Sequence, residues 1–152
     1  MDQAFSMKVE TDLFNKHIKQ FLKKSNISVE KGIKKFAFDL LNRIIKKNPV
    51  DTGRSRAAWY VAIEKLGGAI SVSTKEEREG YSKGKFIDHT KNFLDKYIEI
   101  VNGVDYVIYL EYGSSKQAPY GMVRLSMREL RKGKLPQDLS KQLQKDWNEF
   151  YV

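Results

Sequence analysis

A proline at position 49 sets the strongest limit on how this chain can fold, because it follows the longest helix-patterned run in the sequence. Pro49 cannot continue a helix and pushes Asn48 out of helical backbone, so the run must stop there. The next residues read as a corner. Asp51 and Thr52 carry short polar side chains that bond turn backbone, and Gly53 permits a positive φ. Arg54 and Arg56 then lead into Ala57-Ala58-Trp59-Tyr60-Val61, where alternation begins. Taken alone, this is a helix-to-strand corner. It holds no nucleophile–base pair and no metal-ligand spacing, so chemistry is not its expected purpose.

Two helices are expected before the corner. Thr11 to Lys24 places Leu13, Phe14, His17, Ile18, Phe21 and Leu22 on one stripe, with Lys16, Lys19, Lys23 and Lys24 largely outside it. His17 is expected to be partly buried in or beside that stripe. Ser25-Asn26-Ile27-Ser28 reads as a break, with Ser28 as the cap of a second helix and Glu30 in its first turn. That second helix, Val29 to Lys47, repeats Val29, Ile33, Phe36, Ala37, Leu40, Leu41, Ile44 and Ile45 at three- and four-residue steps. Each large apolar side chain fully buried contributes roughly 1.5–3 kcal/mol, so this is the expected main packing helix.

After the corner the alternation of Trp59, Val61 and Ile63 with Tyr60, Ala62 and Glu64 predicts a strand over Ala57–Lys65. Leu66-Gly67-Gly68 reads as a hairpin turn into a second strand, Ala69–Thr74. Trp59 is the expected core anchor against the long helix. Lys75–Lys91 is charged, contains Gly80 and Gly84, and reads as a mobile arm or loop at 75–91. Tyr97–Val101, ending at Asn102-Gly103, predicts a further strand. Asp105 to Met127 begins with Tyr106, Tyr109 and Leu110 on one helical face, a short helix that Gly113 ends, although Val107, Ile108 and the tyrosines also suit a strand. Ser114–Ala118 is a loop, Pro119 opens a helix through Leu130, and Lys132–Pro136 is a break. Asp138 caps a last helix striped by Leu139, Leu143, Trp147 and Phe150. The expected fold is α+β, one domain over residues 1–152. A small antiparallel sheet of about three to four strands packs against the long N-terminal helix and the C-terminal helices.

Composition narrows the function classes. The chain has 152 residues and no cysteine, which excludes disulfides and thiolate chemistry. Its two histidines, His17 and His89, stand far apart, so neither a zinc site nor a histidine triad is expected. Met1–Phe5 lacks the basic start and apolar run of a secretion signal, and no apolar run approaches the roughly 20 residues that span a bilayer. The net charge of +9 is uneven: residues 15–47 hold ten Lys and Arg against Glu30 and Asp39. Such a face attracts nucleic acid, an anionic membrane or an acidic protein, and charge alone does not choose.

Two stretches, PVDTGRSRAAW (Pro49–Trp59) and YVIYLEYGSSKQAPYGMVRLSM (Tyr106–Met127), together resemble the tail-completion, or head–tail joining, proteins of long-tailed bacteriophages (siphoviruses). These small neck components are often described as minor tail proteins. In that family a basic amphipathic helix runs into a PVDTG-R-L-R corner, followed by a strand hairpin, a Y-A-x-Y-L-E-Y-G-T segment, and a proline with F-L-R-P-A leading a C-terminal helix. Pro49, Val50, Asp51, Thr52, Gly53, Arg54 and Arg56 match the first motif. Tyr106, Tyr109, Leu110, Glu111, Tyr112, Gly113, Ser114, Pro119 and Arg124 match the second. Ser55 stands where leucine is common, Met122-Val123 replaces Phe-Leu, Leu125-Ser126 replaces Pro-Ala, and the 75–91 excursion is longer than usual.

The resemblance implies a structural virion protein without enzymatic activity, cofactor or metal. It implies a homo-oligomeric ring, commonly a hexamer, at the head–tail junction, assembled in the host bacterial cytoplasm. The implied partners are the head-completion (stopper) protein and the tail terminator or tail tube protein, with DNA passing through the ring lumen and no membrane. Cyclic rings use heterologous contacts, one patch against a different one. The two motifs are accordingly expected to lie together in such a contact, through Asp51, Thr52, Gly53, Arg54, Arg56, Glu111, Tyr112, Gly113, Lys116, Pro119 and Arg124. Arg54 or Arg124 would pair with Glu111 or Asp51, within or between subunits. The alternative is a basic nucleic-acid-binding protein. Against it, Phe14, Phe21 and Phe36 fall on the apolar stripe of the basic region and are not interleaved with its charges. An enzyme built on Glu111 and Asp51 would need both carboxylates in one pocket.

Overall fold

The computed structural model describes residues 12–113, 120–132 and 135–150. The elements run α1 (Asp12–Lys47), α2 (Arg54–Lys65), α3 (Lys75–Ser82), β1 (Gly84–Asp88), β2 (Ile98–Asn102), α4 (Val107–Tyr112), α5 (Val123–Arg131) and α6 (Leu135–Phe150). The expected α+β layering is overturned. The described chain is mostly helical, and its one sheet is the two-stranded antiparallel β1–β2 pair with Phe86 opposite Ile100. An isolated two-stranded ribbon is marginal in water. This one is held because Phe86 and Ile100 pack against a core of Leu41, Ile44, Trp59, Ala62, Ile63 and Met122.

The break expected at Ser25–Ser28 does not occur, and α1 is continuous over 36 residues. The polar groups that read as a cap are satisfied without ending the helix. Ser25 Oγ donates to the Leu22 carbonyl at 3.2 Å, and Ser28 Oγ donates 2.7 Å to Asp146 Oδ2 of α6. Asp146 is fully buried. Burial pushes its pKa up, but the bonds from Ser28 and Gln142, with the charges of Lys24 and Lys145, outweigh that and hold it below the ordinary aspartate value. Phe21 meets Trp147 edge to face at 5.0 Å, so the last helix docks on the first half of α1.

The predicted strand Ala57–Lys65 is helix α2. Its alternation was compatible with a second period: Ser55, Ala58, Trp59, Ala62 and Ile63 are buried at three- and four-residue steps, and three alanines favour helix. Leu66-Gly67-Gly68 is therefore a helix end and not a hairpin. Gly67 has φ 93, its N–H donates to Glu64 O and that of Gly68 to Ile63 O, the two bonds of a Schellman motif. No strand forms over Ala69–Thr74. Thr74 instead caps α3, accepting from Glu77 N at 3.1 Å while Glu77 Oε2 reaches back to Ser73 N at 2.9 Å. The region 75–91, expected as a loop or arm, thus contains α3 and β1. Gly80 belongs to the packing of α3 on α2, since an added Cβ would stand 1.8 Å from the Arg54 carbonyl oxygen.

Candidate functional site

Asn48 and the helix that follows build the corner. Its buried amide Oδ1 accepts from Ser55 Oγ and from Trp59 Nε1, both at 3.0 Å. Its Nδ2 donates to the Pro49 carbonyl at 2.8 Å, and its own carbonyl accepts from Arg56 Nη2 at 3.0 Å. One residue before the proline therefore ties the end of α1 to the first turns of α2. Gly53, at φ 81, makes the reversal between them. Trp59 lies in the core as expected, but its ring comes from a helix and its N–H is held by Asn48. Ser55 carbonyl also accepts from Asn102 Nδ2 at 2.9 Å, fastening the corner to the end of β2.

Arg54 projects from the start of α2 between acidic side chains. Its guanidinium lies 3.0 Å from Glu79, 3.7 Å from Asp105, and 6.0 Å from the centre of the Tyr106 ring. Pro49, Asp51, Thr52, Gly53, Tyr106 and Leu110 are among the residues lining a cleft of about 490 Å³ at this point. The corner and the beginning of the tyrosine segment therefore share one surface. Asp51 and Thr52 are exposed there, and Asp51 makes no ion pair among the described residues. The expected Arg54–Asp51 and Arg54–Glu111 pairs are absent; Glu79 and Asp105 take their place.

The tyrosine segment forms α4, with Glu111 turned inward. Its Oε2 accepts from Met122 N at 2.7 Å and Val123 N at 2.8 Å, and its Oε1 from Arg124 N at 3.0 Å and Arg124 Nε at 3.1 Å. Arg124 Nη2 also donates to the Glu111 carbonyl. The carboxylate thus caps the N–H groups at the start of α5 that lack a partner within the helix, from a different helix, where the helix dipole favours negative charge. Burial would raise the Glu111 pKa, but the backbone donors of Arg124, Val123 and Met122 and the Arg124 side chain together hold it below the ordinary value. Gly121 makes room, at φ 81, because an added Cβ would lie 2.7 Å from Glu111 Oε1. The expected Arg124–Glu111 pair is present, within one chain.

The opposite face of α4 is bare. Ile108, Tyr109 and Tyr112 are 63%, 72% and 70% exposed, and Tyr120 is 72% exposed beyond it. Arg124 lies 4.6 Å over the Tyr112 ring, a cation–π contact at one edge of this face. Gly113 ends α4 through close approach and not through a positive φ: its φ is −83, and an added Cβ would meet the Tyr109 carbonyl oxygen at 2.3 Å. Lys116 and Pro119, two of the sequence-predicted residues, lie outside the described residues, as do Ser114–Ala118 and the whole expected loop. Sequence reasoning missed Asn48, Glu79, Asp105 and Gly121. Asn48 carried one usable sign, its place between a helix end and a proline. Comparison with family models, with curated proteins and with solved structures found no match for this chain.

Proposed function

We propose that this chain is a structural assembly protein of the phage neck, forming a ring that joins the DNA-filled head to the tail. The observation that supports it is the exposed face of Ile108, Tyr109 and Tyr112 beside the cleft that the Pro49–Arg54 corner shares with Tyr106. The two stretches that carry the family resemblance meet there. Contiguous exposed aromatic and aliphatic groups rimmed by charge suit a protein contact, with tyrosine over-represented among contact anchors. In this reading the occupant is the neighbouring copy in the ring, and Arg54, Asp105 and Glu79 form the polar rim. Glu111 has a different role: it shapes the surface from beneath, by fixing α4 against α5, and does not itself meet the neighbour.

The test is assembly with a chain carrying Tyr109→Ser and Tyr112→Ser. These side chains are exposed, so the purified variant should fold with a melting temperature close to that of the parent. In phage particles made with it, electron microscopy should show heads and tails unjoined. Joined, infectious particles containing the folded variant would overturn the proposal.

A further inference from the structure

A closed ring joins two unlike patches, one on each side of every copy. The tyrosine face beside the cleft supplies one of them. Among the described residues, the other place where large apolar side chains stand most exposed is the turn between β1 and β2, where Phe93 and Leu94 are 63% and 91% exposed. The base of that turn is built. Asp88 Oδ1 accepts from Thr90 N at 2.8 Å and from Thr90 Oγ1 at 2.6 Å, and Lys96 Nζ donates to the Thr90 carbonyl at 2.6 Å. His89 N donates to the Tyr97 carbonyl at 2.9 Å, and the two rings stack at 4.2 Å. Asp88 also lies 3.5 Å from Lys34, which ties the turn to α1. Thr90 is fully buried while Phe93 and Leu94 stand in solvent, so the turn is ordered around its polar groups and presents its apolar ones. A preformed projection of this kind loses little freedom on docking.

The tip and the cleft do not meet within one chain. Asn102, at one end of the ribbon, donates to the carbonyl of Ser55, a cleft residue. Ile98, opposite Asp88, is at the other end, roughly 13 Å away at about 3.3 Å per residue, and the turn lies beyond it. None of residues 89–97 lines the cleft. The cleft nevertheless fits such a tip. Pro49, Tyr106 and Leu110 give it an apolar lining within about 490 Å³, a usual size for a binding pocket. Its charged lining is Asp51, Glu76 and Glu79 against Arg54, and Arg54 is already paired with Glu79. Lys91 and Lys96 flank the apolar pair of the tip, with Asp95 between them. We propose that the turn is the second half of the ring contact: Phe93 and Leu94 of one copy seat in the cleft of the next, with Lys91 against Asp51 and Glu76 at the rim. An aromatic anchor in a pocket ringed by polar groups is the usual form of a contact centre. The inference rests on the ring reading and names the surface that the reading left without a counterpart.

The chain has no cysteine, so single thiols can be placed without interference. Leu94→Cys at the tip and Thr52→Cys in the cleft both fall at exposed positions, and melting curves check each fold. Mixed and oxidised at equal total protein, the two variants should give roughly tenfold more disulfide dimer than either alone, because a seated tip holds the two thiols at high effective concentration. Adding Phe93→Ser to the Leu94→Cys chain should remove most of that excess. If Thr52→Cys melts early, Glu76→Cys takes its place with the same expected gain. Equal yields from the mixture and from the single variants would overturn the proposal. In that case light scattering of the parent beside the Tyr109→Ser, Tyr112→Ser chain tells which reading has failed. An oligomer lost in the tyrosine variant would sink only the tip and leave the ring reading standing. An oligomer that survives those changes, or none in the parent, would count against both. Binding of the parent to phosphatidylserine vesicles that disappears with Phe93→Ser and Leu94→Ser would also overturn the proposal, since the tip would then be a lipid contact.

Discussion

The corner and the α4–α5 junction solve one problem, fastening the start of a helix to the element before it, by different chemistry. At the corner the fastener is a neutral amide: Asn48 accepts from Ser55 and Trp59 and donates to Pro49. At the junction it is an ionised carboxylate, Glu111, holding three backbone N–H groups and an arginine. A neutral hub is indifferent to pH and is tied into the packed core through the Trp59 ring. A charged hub is stronger per bond but carries the cost of leaving water and works only while ionised. The difference teaches that the two motif segments have separate stability controls even though they share a cleft.

The largest effect that can break this comparison is at the core side of the corner. Trp59→Ala should destabilise by about 3–5 kcal/mol, read as a shift of the urea midpoint, because it empties core volume and strips Asn48 of a donor. Glu111→Ala should come next, at roughly 3 kcal/mol, since it leaves the N–H groups of α5 and the Arg124 guanidinium without their acceptor. If Glu111→Ala left stability unchanged, the junction would be a surface contact and not a hub. Gly121→Ala should cost about 2 kcal/mol through its positive φ and its approach to Glu111.

Acid sharpens the contrast. The Glu111 pKa is lowered in the folded chain, so its contribution is complete above the unfolded value near 4.5 and is lost as pH falls through the folded value beneath it. Asp146 shifts in the same direction and adds to the loss. Urea midpoints measured from pH 6 down to pH 3 should therefore fall for the parent and for Asn48→Ala alike. They should fall less steeply for Glu111→Gln. Equal steepness in all three would remove the distinction between a neutral and an ionised hub. The smallest effect belongs to the exposed face: Tyr109→Ser should change stability by no more than about 0.5 kcal/mol.

Much of the helical content was legible because long apolar stripes at helical spacing have few other readings. Val29–Lys47 rests on that pattern, as does the last helix, which nevertheless begins at Leu135 and not at the expected Asp138 cap; the short helix before Gly113 suited a strand as well. The misreadings cluster where a short segment fits two periods or two turns. Trp59, Val61 and Ile63 alternate as a strand does, yet Ala58, Trp59, Ala62 and Ile63 recur as a helix does, and Leu66-Gly67-Gly68 suits either a hairpin or a Schellman end. The Thr74-Lys75-Glu76-Glu77 cap was present in the sequence, inside a stretch whose charge and glycines read as a loop. Of the candidate site, the Arg124–Glu111 pair was anticipated as one of several pairings. The partners of Arg54 were not, because Glu79 and Asp105 come from elements whose placement local sequence does not fix.

The sequence by itself determined that Pro49 ends a helix, that Gly53 turns the chain, and that Val29–Lys47 carries its lysines and arginines outside or at the edges of its apolar stripe. Those are local consequences of ring closure, missing Cβ and helical periodicity. Only the tertiary structure decided that Ser28 would bond Asp146 and leave α1 unbroken, and that Asn48 would become a buried hub. It also decided which of ten basic residues keep an unpaired charge. The reason is physical: a polar side chain takes the partner that burial brings within reach, and residues more than 80 positions apart, such as Arg43 and Glu129, meet only once the core has formed.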